Sequence, residues 1–196
     1  MKFKILLNLA LVFFVLAGCE KKGEESAQSE QSTQSEQTQI SNQPQESTLS
    51  ANYNAPFSLT FTNGQILNMQ KNKNGFSIEN GGKPILFAFF ASWCDACTIQ
   101  ANALNAIVAK YGDKLDVVAV LIGDEIELDA LKEYEKKIKA KYKIAYGEAN
   151  DFFANTLGGI AEIPYMVIYD KKGEFSAQYF GLMPEEILTI EMERIF

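Results

Sequence analysis

The distribution of apolar residues predicts an alternation of strands and helices from Tyr53 onward. Two runs, 84–91 and 117–122, are almost continuously apolar, which is typical of strands buried on both faces of a parallel sheet. Between them, apolar side chains recur at helical spacing and Gly112 is predicted to end the helix. These side chains are Ala96, Ile99, Ala103, Leu104, Ile107 and Tyr111.

The remaining segments complete an α/β domain. Residues 57–61 and 65–69 flank Asn63-Gly64, a strong hairpin signal. A second helix is predicted from 128 to 138, then a short strand at 144–146, a brief helix at 152–157, and strands at 165–169 and 175–180. A last helix enters at Pro184, with Ile187, Leu188 and Ile195 predicted to face inward. We therefore predict a central mixed β-sheet flanked by helices over residues 53–196.

The amino terminus has the organisation of a secretory signal. Lys2 and Lys4 precede an apolar run at 5–17, which is too short to span a bilayer comfortably, so a permanent membrane helix is the weaker alternative. The tetrad that ends at Cys19, Leu-Ala-Gly-Cys, resembles the lipobox of bacterial lipoproteins, whose cysteine is acylated after cleavage. The resemblance implies a signal peptide at 1–18 and lipid attachment at Cys19.

The segment that follows Cys19 is predicted to be a tether. Residues 20–52 are dominated by Gln, Ser, Glu and Thr, and such a composition cannot bury enough apolar surface to fold. A flexible coil of this length has a reach of about 30 Å. Residues 19–52 are therefore expected to hold the domain away from a membrane surface.

Composition limits the available chemistry. The net charge of −7 and the absence of a basic stripe argue against nucleic acid as a partner. The chain contains no histidine, which excludes Ser-His and Cys-His nucleophile pairs and histidine-containing zinc sites. Cysteines, carboxylates and lysines remain, and we expect no cofactor or bound metal.

Cys94 and Cys97 are the candidate catalytic residues. They lie between a buried strand and an amphipathic helix, so Cys94 is expected at a helix N-terminus, where the helix dipole favours the reactive thiolate. Cys97, one turn further along, could then resolve a mixed disulfide. A purely structural bridge is disfavoured because so short a loop constrains the unfolded chain least. Two-coordinate copper binding remains an alternative.

The stretch Ala91-Ser92-Trp93-Cys94-Asp95-Ala96-Cys97 resembles the active site of thioredoxin-like proteins, and residues 55–196 are similar to the extracytoplasmic TlpA/ResA branch. The resemblance implies a thioredoxin-like fold with an N-terminal β-hairpin extension. It also implies a cis peptide bond at Ile163-Pro164, with a backbone that pairs with an extended substrate segment. Trp93 is expected to shield the disulfide and to contact the partner.

Two positions depart from the family pattern. Ala88 stands where thioredoxin has a buried aspartate, and Gln100 stands where ResA-like members carry a glutamate. Both usual proton-relay carboxylates are thus absent, and Asp95 and Glu162 are candidate substitutes. We expect Cys97 to resolve mixed disulfides slowly near neutral pH unless another acceptor is present.

The sequence therefore predicts a membrane-tethered, extracytoplasmic thiol–disulfide oxidoreductase that reduces or exchanges disulfides in exported proteins through Cys94 and Cys97. Apocytochrome c is one candidate substrate, and a membrane thiol–disulfide protein is the expected electron donor. The alternative is a tethered binding module, a chaperone or copper carrier, that uses the same cysteines without redox turnover.

Overall fold

A computed structural model describes residues 52–196. The predicted signal peptide, Cys19 and all of the predicted tether except its last residue lie outside the described residues. The strands are β1 Phe57–Phe61, β2 Ile66–Lys71, β3 Phe76–Ile78, β4 Ile85–Phe90, β5 Asp116–Leu121, β6 Lys143–Tyr146, β7 Tyr165–Tyr169 and β8 Phe175–Phe180. The helices are α1 Asp95–Tyr111, α2 Leu128–Lys137, α3 Ala149–Thr156 and α4 Glu185–Ile195.

All eight described strands form one mixed sheet in the order β3-β2-β1-β6-β5-β4-β7-β8. The central strands β4, β5 and β6 are parallel, whereas the remaining pairs are antiparallel. This confirms the predicted mixed sheet and the N-terminal hairpin. Because β1 also pairs with β6, the hairpin is continuous with the central sheet.

The sheet is covered on both faces, as predicted. Along β4, the side chains of Leu86, Ala88 and Phe90 enter one buried cluster, with residues of α1, α2 and α4. Those of Ile85, Phe87 and Phe89 enter the other, with residues of α3 and of β1 to β3. Such alternation is the two-residue period of a strand, and apolar layers on both sides explain why β4 is apolar throughout.

Strand β3 was not predicted, because three residues are too few to show a period. It lies at one edge of a sheet that curls until the β2–β3 and β7–β8 turns meet. Phe76 N–H donates to the carbonyl of Gly173, 2.9 Å away. A Cβ at Gly75 would lie 2.2 Å from that same oxygen, so only glycine permits this approach.

The predicted inward faces of two helices were partly wrong. Ile99 is 59% exposed, whereas Gln100 is buried on the packed face of α1. In α4, Leu188 and Met192 are buried, and Ile187 is 42% exposed. Ile195 is only half-buried. Apolar spacing identified both helices but did not determine which stripe the sheet covers.

Gly112 ends α1 as predicted, although by a different mechanism. Its φ of −62° is right-handed, so the left-handed cap that glycine usually provides is absent. A Cβ there would lie 2.7 Å from the carbonyl oxygen of Val108, which accepts the Gly112 N–H. Close backbone contact therefore explains this glycine.

Candidate active site

Cys94 is the N-cap residue of α1, directly beyond the carboxyl end of β4. Its Sγ accepts a hydrogen bond from the backbone N–H of Cys97 at 3.1 Å. The backbone carbonyl of Cys94 accepts the N–H of Thr98 at 3.1 Å, which begins the helix. The Cys97 N–H and the positive end of the helix dipole thus lie at this sulfur, and both favour negative charge on it. The predicted helix-terminal position of Cys94 is confirmed.

The two cysteines form a disulfide with a Cα–Cα distance of 5.2 Å. Both are buried, with exposed fractions of 7% for Cys94 and 5% for Cys97. Trp93, the preceding residue, is 67% exposed. A large apolar ring thus stands in solvent beside a largely covered disulfide, which is the arrangement expected of a side chain that contacts a partner.

The segment around Pro164 lies beside the disulfide. The Ile163-Pro164 peptide bond is cis, as the resemblance implied. Pro164 lines the same small cavity as Cys97, so the chain brings together the cysteine pair and the cis-proline over a separation of nearly seventy residues. The carbonyl of Pro164 accepts the N–H of Gly181 at 2.8 Å, which joins this segment to the loop before α4.

Comparison with known proteins agrees with this geometry. A sequence profile of thioredoxin-like proteins matches residues 81–175. The thiol–disulfide oxidoreductase ResA of Bacillus anthracis is 24% identical over 114 residues, which are 58% of this chain and 64% of that protein. A thioredoxin-like protein of Synechocystis is 28% identical over 93 residues, 47% of this chain and 82% of its own length.

Solved structures show the same fold. StoA of Bacillus subtilis superposes with a TM-score of 0.57 at 20% identity, covering 71% of this chain and 97% of its own. An exposed lipoprotein thioredoxin of Streptococcus pneumoniae gives 0.56 at 21% identity, covering 71% and 99%. The chain has the thioredoxin-like fold, and over residues 81–175, slightly less than half of its length, it is similar in sequence to thioredoxin-like proteins, with thiol–disulfide oxidoreductases of the TlpA/ResA type among its relatives. The alignment spans slightly less than two thirds of the ResA proteins.

Gln100 has a role in this thioredoxin-like domain that the sequence did not reveal. Its side chain is 2% exposed and binds the backbone of Met183 twice. Its Nε2 donates to the Met183 carbonyl at 3.0 Å, and its Oε1 accepts the Met183 N–H at 2.7 Å. Because an amide has both a donor and an acceptor, it satisfies both backbone groups, which a carboxylate cannot do. Gln100 therefore fastens α1 to the loop before α4.

The surroundings of Cys97 lack a carboxylate within the part of the chain that the structure describes. The cavity beside it is lined by Ala88, Phe89, Phe90, Cys97, Gln100, Leu104, Ala119, Tyr134, Ile138, Tyr142 and Pro164. Ala88 and Ala119 are partners across the β4–β5 pair, so small side chains occupy the sheet here. Asp95 and Glu162, the candidate substitutes, are both exposed and do not line this cavity.

Asp124 is a site residue that sequence reasoning missed. Its Oδ2 accepts the backbone N–H of Ser92 at 2.6 Å and so holds the loop that carries Trp93 and Cys94. It follows β5, the strand parallel to β4, and the carboxyl ends of parallel strands share one edge of a sheet. The position of Asp124 shortly after a predicted parallel strand could therefore have identified it from the sequence.

Tyr134 is a buried residue that lines the cavity beside Cys97. Its hydroxyl is 3.2 Å from the hydroxyl of Thr98. Burial raises the pKa of Tyr134, the Thr98 hydrogen bond lowers it, and the negative charge of Asp124 raises it. Tyr134 is therefore a neutral hydrogen-bonding group at neutral pH.

Two further observations concern residues 52–196. No group of three or more histidine, cysteine, aspartate or glutamate side chains there is arranged to hold a metal ion. No helix in this range is long and apolar enough to cross a membrane.

Proposed function

We propose that this protein is an extracytoplasmic thiol–disulfide oxidoreductase, anchored to a membrane through lipid on Cys19, that reduces or exchanges disulfides in exported proteins. The observation that carries the proposal is the Cys94–Cys97 disulfide at the N-terminus of α1, with the backbone N–H of Cys97 directed at the Cys94 sulfur. Catalysis by thiols requires a thiolate, and this position stabilises one.

The reaction proceeds in two exchanges. In the reduced protein, the Cys94 thiolate attacks one sulfur of the substrate disulfide, forms a mixed disulfide and displaces the other substrate sulfur as a thiolate, which takes up a proton. The Cys97 thiol then loses its proton and attacks the Cys94 sulfur. This step forms the Cys94–Cys97 disulfide and releases the second substrate thiol. Two electrons pass to the substrate, and a membrane thiol–disulfide protein returns them by the same exchange in reverse.

Trp93, Ile163 and Pro164 are proposed to bind the substrate. The exposed ring of Trp93 lies next to Cys94 in the chain; Pro164 lines the same cavity as Cys97, and Ile163 lines a groove together with Trp93. A substrate segment that approaches the sulfurs would therefore meet both. Exported proteins with exposed disulfides are the proposed substrate class, and apocytochrome c is one candidate.

Trapping tests the proposed roles of the cysteines. Cys97→Ser should accumulate substrate proteins covalently on Cys94, because the resolving thiol is absent, whereas Cys94→Ser should accumulate almost none. Non-reducing gels of the two variants, with the double serine variant as control, measure this directly. Equal trapping by both single variants, or none by either, would show that the assigned roles are wrong.

The reduction potential of the Cys94–Cys97 pair tests the direction of electron flow. Thioredoxin has a potential of about −270 mV and DsbA one of about −120 mV. A value near the first supports a reductase, and one near the second an oxidant. Equilibration of the protein with glutathione buffers gives this value.

Fractionation tests the proposed anchor. Cys19→Ala should give a released or unprocessed protein, because one acylated residue carries the attachment and each buried methylene contributes about 0.8 kcal/mol. Cys94→Ser is the control, since it removes a cysteine without affecting acylation. A processed Cys19→Ala protein that stays with membranes through a carbonate wash would rule out the lipid anchor.

A further inference from the structure

A groove that is distinct from the cavity at Cys97 adjoins the proposed redox site. Its volume is about 460 Å³, and it extends from Trp93 and Ile163 toward α3. Ile122, Ile160, Ala154 and Ala161 contribute apolar surface to it. The groove begins at the two residues that precede Cys94 and Pro164 in the chain, so a segment bound in it would lead directly to the disulfide.

The charged side chains that line this groove are all acidic. Asp151 and Glu162 both line it, and no lysine or arginine does. None of the ion pairs among the described residues involves Asp151 or Glu162. Asp151 Oδ1 accepts only a long hydrogen bond, 3.4 Å, from the Gly123 N–H. The two carboxylates are therefore available for a cationic group from outside.

Charge is distributed unevenly between the two ends of the sheet. Residues 91–109, 122–131 and 147–163, which follow β4, β5 and β6 in the chain, contain several acids but no lysine or arginine. Lysines instead cluster between Lys132 and Lys143, toward the amino end of β6. The end of the domain that carries the cysteines therefore attracts positively charged segments and repels negatively charged ones.

We infer that this groove selects substrate segments that present an apolar side chain to its floor and a lysine or arginine to Asp151 and Glu162. Apolar contact supplies attraction without specificity, whereas the two carboxylates favour a cationic neighbour and penalise an acidic one. The inference rests on the proposed oxidoreductase function and adds to it a class of substrate sequence.

Short peptides with one cysteine in a mixed disulfide with 2-thiopyridine test this selection. Attack by the Cys94 thiolate on the peptide sulfur releases thiopyridone, whose absorbance reports the second-order rate constant. The peptides differ only in two residues beside the cysteine: Leu-Lys, Leu-Glu, Ser-Lys and Ser-Glu. Each exposed ion pair contributes modestly, so the full-length reduced protein should react about three- to tenfold faster with Leu-Lys than with Leu-Glu. The ratio should shrink between about 20 mM and about 500 mM NaCl.

The decisive variant is Asp151→Asn/Glu162→Gln, which should bring the Leu-Lys to Leu-Glu ratio close to one. Asp113→Asn/Glu135→Gln changes the net charge equally, but Asp113 and Glu135 lie toward the opposite end of the sheet, and this variant should keep the ratio. Equal loss of preference in both variants would assign it to net charge and overturn the groove proposal. So would a wild-type protein that reacts equally with all four peptides.

Dipyridyl disulfide, a small uncharged disulfide, distinguishes failure of the groove proposal from failure of the proposed oxidoreductase function. If the protein reduces it rapidly but shows no peptide preference, the oxidoreductase function stands and the groove proposal is wrong. If Cys94 does not react with it at all, the proposed function fails, and the groove proposal with it.

Discussion

The two faces of β4 differ in chemistry although they belong to one strand. On one side, Phe87 and Phe89 enter an aromatic cluster that also contains Phe57, Phe76, Phe153, Tyr165 and Tyr169. On the other side, which we call the redox side, Ala88 faces a cavity beside Cys97 that is lined by alanine, aliphatic and aromatic side chains and by the amide of Gln100. The aromatic cluster consists of packed rings, whereas the redox side places a disulfide, an amide and the hydroxyl of Tyr134 among its apolar side chains.

The difference indicates that the aromatic cluster mainly stabilises the fold, whereas the other face of β4 supports the reacting groups. Aromatic rings bury much apolar surface and lack groups that exchange protons or electrons at neutral pH. On the redox side, Cys97, Pro164 and Gln100 line one small cavity, and Gln100 is held by specific hydrogen bonds. Substitutions in the aromatic cluster should therefore change stability alone, whereas substitutions on the redox side should also change rates and their pH dependence.

Phe153→Ala should have the largest effect. The Phe153 ring lies 4.9 Å from that of Phe87 and 5.1 Å from that of Phe89, between ring centroids, and it is fully buried. The cavity should lower the free energy of unfolding by about 3–5 kcal/mol, measured by urea denaturation. Phe152→Ala, which removes the neighbouring half-buried ring, should cost clearly less. A changed reduction potential in folded Phe153→Ala would contradict the separation of the two faces.

The second prediction concerns the pH dependence of resolution. Because no carboxylate lines the cavity at Cys97, we expect release of a substrate trapped on Cys94 to accelerate about tenfold per pH unit between about pH 6 and about pH 8. Single-turnover release measures this rate. The first step, attack by Cys94 in Cys97→Ser, should level off at lower pH, since the helix N-terminus stabilises that thiolate. A flat profile for release would reveal another proton acceptor.

Gln100→Glu should weaken the attachment of α1 to the loop before α4. An ionised carboxylate cannot donate to the Met183 carbonyl, so we expect a loss of about 1–3 kcal/mol near neutral pH. A protonated carboxyl can make both bonds. Burial raises its folded pKa above the unfolded value, so the variant's stability should be best retained in acid and fall as pH rises.

Urea denaturation from about pH 4 to about pH 8 measures this dependence, relative to the wild-type protein. Gln100→Met, which removes both hydrogen bonds without adding a titratable group, should be destabilised equally at each pH. If Gln100→Glu matched the wild-type protein throughout, the two Met183 hydrogen bonds would carry no net stability.

The smallest effect is expected at alkaline pH, where both faces should respond alike. Burial is the main cause that raises the pKa of Tyr142, on the redox side, and of Tyr169, in the aromatic cluster. As pH rises, these tyrosines lose their hydroxyl protons in the unfolded chain before they do so in the folded protein. Their contribution to the free energy of unfolding is therefore fully present below about pH 10 and is lost above it. At about pH 11, the free energy of unfolding should have fallen by about 1.4 kcal/mol less in Tyr142→Phe, and likewise in Tyr169→Phe, than in the wild-type protein. Tyr53→Phe, at an exposed tyrosine, is the control. If the free energy of unfolding fell equally steeply with pH in all three variants, burial would not be the cause of the effect.

The sequence by itself determined most of the elements and the reacting sulfurs. Continuous apolar runs located β4 and β5, Asn63-Gly64 located the β1–β2 turn, and the Trp-Cys-x-x-Cys stretch predicted Cys94 at the start of α1. These features are local, because a strand period, a turn or a helix cap depends on residues a few positions apart. The three-residue β3 was missed, since it is too short to show such a pattern.

Only the tertiary structure decided which side of each helix is covered and what each polar residue does. Gln100 was predicted as a missing base and instead binds Met183, which lies 83 residues further along the chain. Asp124 reaches Ser92 because two parallel strands end at the same edge of the sheet. The acidic groove joins Trp93 to Asp151 and Glu162. Such contacts arise when distant segments pack together, so no local pattern along the chain could predict them.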